Sequence, residues 1–292
     1  MCNDITLGYY RLQVLLWLYG VVYLASVLFN SQSWSNITIT QQNKLQTAQL
    51  RYLKLTMQAP SSTPNAFVFL ELGILPIKYE MDRRKLVFYH HINTLPPTDP
   101  VLRVHIQQRR LPFEQNWTTE TVSLLNLYGL SDVNVEEVGR EKWKDLVTES
   151  ITDKALQDLT NECKDKTKIY TLNYETFALQ KYIISLPFEL ASLVFKIRSK
   201  GLKCLNNHHS SHKDLICRLC NVCIETQEHI INCRCVRTPQ DEIISLHQYY
   251  QPELDIDNID IIELTSIKER YKRFLSLINN ASQEDESHLV HN

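Results

Sequence analysis

The chain has 292 residues, 43% of them apolar and 22% charged, which is enough to bury a substantial core and too apolar for wholesale disorder. A net charge of −2 excludes the broad basic field that would advertise a nucleic-acid partner on its own. With only six glycines, the composition favours helices joined by short proline-marked turns, so a mainly α protein is expected. The charge is uneven, however. Lys196, Arg198, Lys200, Lys203, Lys213 and Arg218 are opposed only by Asp214, whereas Glu253, Asp255, Asp257, Asp260 and Glu263 follow with no base among them.

In chain order, residues 12–29 (LQVLLWLYGVVYLASVLF) carry no charge. As a helix they would reach about 27 Å, roughly a bilayer core. A transmembrane helix or a signal sequence is one reading. Gln13, Ser26 and the tyrosines dilute the run, no cleavage site follows, and the flanks lack the basic asymmetry that orients a span. Burial in a larger core is the preferred expectation. Sequons at Asn36, Asn116 and Asn280 would suit a secreted chain, but such tripeptides arise by chance in a sequence this rich in Asn, Ser and Thr.

Leu45, Ala48, Tyr52 and Leu55 mark one face of a helix over 41–57, ended by Pro60. Residues 61–73 predict a second helix, with Ser62 or Thr63 as cap, Pro64 in the first turn and Gly73 past the end. A third runs from Pro76 to about Ile92, where LPPTDP breaks it. Its Arg83-Arg84-Lys85 reads as a solvated face, with phosphate contact as the alternative. His90 and His91 in the last turn suit the helix dipole. Further helices are expected at about 118–129, 140–163, 171–183 and 187–201, and an acidic lead into an amphipathic helix at 256–278.

Residues 217–235, CRLCNVCIETQEHIINCRC, hold five cysteines and a histidine. Cys217 and Cys220 have the two-residue gap that turns both sulfurs toward one centre. Thr226 can cap a short helix with Glu228 in its first turn, which places His229 and Cys233 on one face. The pattern C-x2-C-x8-H-x3-C favours zinc over a disulfide cluster or free thiols. Cys223 and Cys235 compete for the fourth position, and Cys233 is preferred because Cys235 would point away from His229. His208, His209 and His212 read as a polar loop, with a weaker second site as the alternative.

Several phrases in order, SVLFNSQSW, PSSTPNAFVFLELGILPI, RRKLVFYHHI, YIISLP and CRLCNVCIETQEHIINC, make residues 10–240 resemble the carboxy-terminal region of reverse transcriptases from non-long-terminal-repeat retrotransposons. The resemblance implies a thumb-like segment and helical linker that hold a template–primer duplex, followed by a zinc knuckle that engages nucleic acid. It implies Cys217, Cys220, His229 and Cys233 as Zn2+ ligands. The family more often has four residues before the last cysteine, where this chain has three. Lys196, Arg198, Lys200, Lys203 and Arg218 would contact RNA or DNA backbone with low sequence specificity. The family's polymerase uses palm aspartates, and this chain has no Asp-Asp dipeptide, so polymerase activity is not expected of it.

The expected architecture is a mainly α, bundle-like helical linker followed by a small zinc-knuckle module. Its divisions are 1–58 (apolar segment and helix), 59–200 (linker), 201–240 (knuckle) and 241–292 (acidic stretch and terminal helix). The expected setting is intracellular, in nucleus or cytoplasm, with membrane attachment through 12–29 as the alternative. Two other functions stay open: a membrane-anchored or secreted cysteine-rich protein, and a zinc-stabilised helical scaffold for another protein.

Overall fold

A computed structural model describes residues 3–111, 115–166, 174–208, 215–251, 254 and 256–289. Helices dominate, and among the described residues β-pairing is confined to two isolated bridges, Leu72 with Leu179 and Ile216 with Ile224. The chain opens with α1 (Asn3–Leu18), a π-helical stretch Tyr19–Leu24 and α2 (Ala25–Val27). Then come α3 (Ile39–Thr56), α4 (Asn65–Leu72), α5 (Ile77–Asn93), α6 (Pro100–Arg110), α7 (Trp117–Leu127) and α8 (Arg140–Lys166). The short α9 (Lys181–Ser185), α10 (Phe188–Arg198), α11 (Leu205–His208), α12 (Gln227–Asn232) and the long α13 (Ile261–Leu289) complete it.

Local chemistry explains most boundaries. The Thr38 side chain accepts a hydrogen bond from Gln41 N–H while Gln41 Oε1 accepts one from Thr38 N–H, a capping box that starts α3. Gly73 closes α4 at φ +57°, a left-handed position that glycine occupies without steric cost. The structure adds a helix at Pro100–Arg110, for LPPTDP both ends α5 and starts α6. Asp99 in fact caps it by accepting from Val101 N–H at 2.8 Å, with Pro100 at the first position. The helix expected over 171–183 does not extend through its described part. Residues 174–180 are irregular, and helix begins only at Lys181. Glu71 is the reason: its side chain accepts from Tyr174, and its carbonyl accepts from Gln180 N–H, which fixes the segment as an extended strap across α4.

Two apolar cores form. One collects Leu12, Leu53, Phe67, Phe195, Ile230, Cys217 and Phe274, drawing on helices from α1 to α13. The other packs α5, the end of α7 and α8 around Trp143, whose Nε1 donates to Leu86 O at 2.9 Å.

Residues 12–29 are not buried as a whole. Leu12, Tyr19 and Leu28 face inward, while Val14, Trp17, Val21, Val22 and Phe29 are 47–78% exposed. The π-helical turn shifts the helical register, and its Tyr23 stacks on both Tyr19 and Tyr52. Among the described residues no helix is long and apolar enough to cross a membrane. The basic run on α5 is also not a free solvated face. Arg83 and Arg84 bind Glu80, and Lys85 binds Glu120 at 2.6 Å. His90 is buried and donates through Nε2 to Val138 O, while His91 is exposed.

Candidate metal centre

A tight turn, Cys217–Cys220, and the short helix α12 build the site. Cys217 N–H donates to Cys223 O and Asn221 N–H to Cys217 O, which closes the loop. Asn221 takes φ +52°, a left-handed conformation that asparagine tolerates better than most residues. Thr226 Oγ1 accepts from His229 N–H at 3.1 Å and starts α12, with Glu228 in its first turn and Cys233 at its end.

The ligand atoms of Cys217, Cys220, His229 and Cys233 lie within 4.8 Å of one another, so the four could hold a metal ion. Cys217 Sγ and Cys233 Sγ are 3.9 Å apart, and Cys220 Sγ is 3.4 Å from His229 Nε2. Cys217, Cys220 and Cys233 are buried and free of disulfides. Backbone N–H groups aim at each sulfur: those of Cys220 and Leu219 at Cys217, of Cys223 and Val222 at Cys220, and of Cys235 at Cys233. Without an ion, burial raises Cys217 and pushes Cys233 up to about 12. Burial opposes the Cys220 thiolate too, but there the N–H groups of Cys223 and Val222, with Cys217 and His229, prevail and hold it at about 6. Cys223 and Cys235 are exposed and lie outside this cluster, and the Cys235 thiol points to Leu219 O. Of the second histidine group, His209 and His212 fall outside the described residues, as does the His208 side chain.

Polar residues bolt the loop to the first core. Buried Glu225 accepts from Arg218 N–H, from its guanidinium at 2.6 Å, and from Leu205 N–H. Gln227 donates to Ile197 O and Tyr250 Oη and accepts from Leu202 N–H. Neither residue was singled out from the sequence, although both flank the Thr226 cap.

The basic residues divide by burial. Arg198 is completely enclosed, bound to Glu71 Oε1 through Nε and Nη2 and to the Tyr249 and Gln251 carbonyls through Nη1. That placement keeps it from any phosphate on the surface. Lys203 is exposed, and Lys196 and Lys200 are half-buried. Burial and the neighbouring Lys203 lower the Lys196 pKa, which puts these two ammonium groups in one positive region. Arg218 is 42% exposed on its side chain while serving Glu225. Two further exposed bases border the loop: Arg234 donates to Cys220 O and Arg273 to Val236 O. The CRC tripeptide could have flagged Arg234, whereas Arg273 lies forty residues away on α13 and only folding brings it in.

No family model matches the chain, and neither a curated protein nor a solved structure does.

Proposed function

We propose that this chain is a zinc-stabilised helical nucleic-acid-binding protein, similar to the thumb-like, linker and zinc-knuckle region of non-long-terminal-repeat retrotransposon reverse transcriptases. The observation that carries the reading is the convergence of Cys217, Cys220, His229 and Cys233. Zinc–sulfur bonds of about 2.3 Å and a zinc–nitrogen bond of about 2.0–2.1 Å at tetrahedral angles place two sulfurs about 3.8 Å apart and sulfur and nitrogen about 3.5 Å apart. The separations of 3.9 and 3.4 Å fit that ion. Four protein ligands leave no open position for water or substrate, so the metal's role here is structural. Free thiols at the centre suit a reducing intracellular compartment.

Three thiolates and a neutral imidazole leave zinc with a net charge of −1; Arg218 is balanced by Glu225, and Arg234 and Arg273 at the loop more than offset the centre. With Lys196, Lys200 and Lys203 they form the surface proposed to meet phosphate. Contacts of that kind release counterions, so binding should be sequence-tolerant and steeply salt-dependent. The test uses the full chain, with zinc measured per chain and binding to single-stranded RNA and duplex DNA titrated against salt. Each Lys→Ala change at 196, 200 or 203 should weaken binding and flatten the salt slope by up to about one. Absence of binding at low salt, with zinc present, would overturn the nucleic-acid reading. It would favour the helical scaffold, for which the exposed Val14, Trp17, Val21 and Val22 speak.

A further inference from the structure

The loop holds two thiols beyond those the metal needs, and their positions are not arbitrary. Cys217, Cys220 and Cys223 form C-x2-C-x2-C, so Cys220 is the shared middle sulfur. With Cys217 it makes half of the metal cluster. With Cys223 it has the spacing of a redox dithiol. The structure joins the two halves through the backbone: Cys223 O accepts from Cys217 N–H at 2.8 Å, which folds Cys223 back over the loop that carries Cys220. Burial separates the roles. Cys217 and Cys233 are sealed and Cys220 is 7% exposed, whereas Cys223 faces solvent.

We propose that Cys223 is a peroxide-reactive thiol whose oxidation captures Cys220 and releases the metal. This rests on the zinc reading of the site. Hydrogen peroxide, or another hydroperoxide, oxidises the Cys223 thiol to a sulfenic acid and is reduced to water or the alcohol. The Cys220 sulfur then attacks the sulfenic sulfur. Its bond to zinc breaks, the Cys220–Cys223 disulfide forms and hydroxide leaves. Two sulfurs have supplied the two electrons that the peroxide takes up. The remaining Cys217, His229 and Cys233 are a three-ligand site that holds zinc less tightly.

The test treats zinc-loaded full chain with hydrogen peroxide and follows metal release with a chromogenic chelator, while tryptic peptides locate the disulfide. Wild type should release one zinc per chain with a Cys220–Cys223 bridge, and thiol reductant plus zinc should restore it. Cys223→Ser should start with the same zinc content yet release it at least tenfold more slowly, and Cys235→Ser should behave as wild type. Release from Cys223→Ser at the wild-type rate, or a bridge elsewhere, overturns the switch while leaving the zinc site standing. A chain that carries no zinc before oxidation overturns both.

Discussion

Exchanging Arg198 for methionine tests how the buried side of the first core is held. Arg198 and Glu71 are both fully enclosed, and their side chains meet at 2.8 Å. Tyr174 and Tyr182 also donate to the Glu71 carboxylate, at 2.6 and 2.5 Å. The guanidinium in turn satisfies the carbonyls of Tyr249 and Gln251 at 3.0 and 2.7 Å. Methionine fills much of the volume but strands a buried carboxylate without its cation and leaves two carbonyls without that donor. Breaking a buried pair from one side costs about 3–5 kcal/mol, more than the pair itself is worth, because the remaining charge cannot return to water. At about 2–4 °C per kcal/mol for a chain approaching this size, the melting temperature should fall by about 6–20 °C. Urea unfolding followed by circular dichroism reads the loss directly. The double variant Glu71→Gln with Arg198→Met removes both charges and should recover at least half of it. A loss below about 1 kcal/mol for Arg198→Met would refute the reasoning, since it would mean that water reaches the carboxylate. Lys203→Ala, by contrast, should leave the melting temperature unchanged.

At Gly73 an added Cβ would stand 2.4 Å from Leu179 N and 2.5 Å from Ala178 C, backbone atoms that cannot swing aside. Gly73→Ala should therefore cost clearly more than Gly129→Ala, where φ is +67° but nothing lies within 4 Å and only the left-handed penalty of about 1–2 kcal/mol applies; equal losses by urea unfolding would contradict the close approach. Burial, then the charge of Arg109, holds His105 down to about 4, so the folded state keeps the ring neutral while the unfolded chain protonates it near 6.5. Its contribution is complete above pH 6.5 and is lost as pH falls toward 4, by about 3 kcal/mol. The stability gap between wild type and His105→Gln should narrow by that amount from pH 7 to 4, with the metal ligands titrating equally in both; a constant gap would count against it. Cobalt substitution separates the candidate fourth ligands: Cys233→Ser should lose intensity in the thiolate-to-cobalt charge-transfer band, and Cys235→Ser should keep the wild-type spectrum.

Much of this was legible where one residue type had one local job. The Thr226 cap, Glu228 in the first turn and the convergence of His229 with Cys217, Cys220 and Cys233 follow from spacing alone, because ligand geometry over seventeen residues is short-range information. Helices α3, α5, α7, α8 and α10 were visible from period and punctuation. What was hidden depended on partners distant in sequence. The strap at 174–180 is held by Glu71, about a hundred residues away, against its own helical pattern. Arg198 sits in a basic stretch and looked like its neighbours, but a helix turn places it opposite the same Glu71. The π-helical turn at Tyr19–Leu24 broke the period that would have shown which face of residues 12–29 turns inward.

Glu71 and the cysteine–histidine loop share a seam. The end of α10 supplies Arg198 to the buried pair and Ile197 O to Gln227 at the start of α12, and the turn that follows α10 gives Gln227 the Leu202 N–H. On the other side, Arg198 holds the Tyr249 and Gln251 carbonyls, while Gln227 donates to the hydroxyl of Tyr250 between them. Tilting either end of this seam must move the other, so the two sites should not lose stability independently. A double-mutant cycle of Arg198→Met with Cys217→Ser should therefore show a coupling energy of about 0.5–3 kcal/mol, the range for residues in one network. Simple addition of the two losses would place the metal loop on a frame of its own, with Gln227 an incidental contact and α10 stable whether or not the ion is bound.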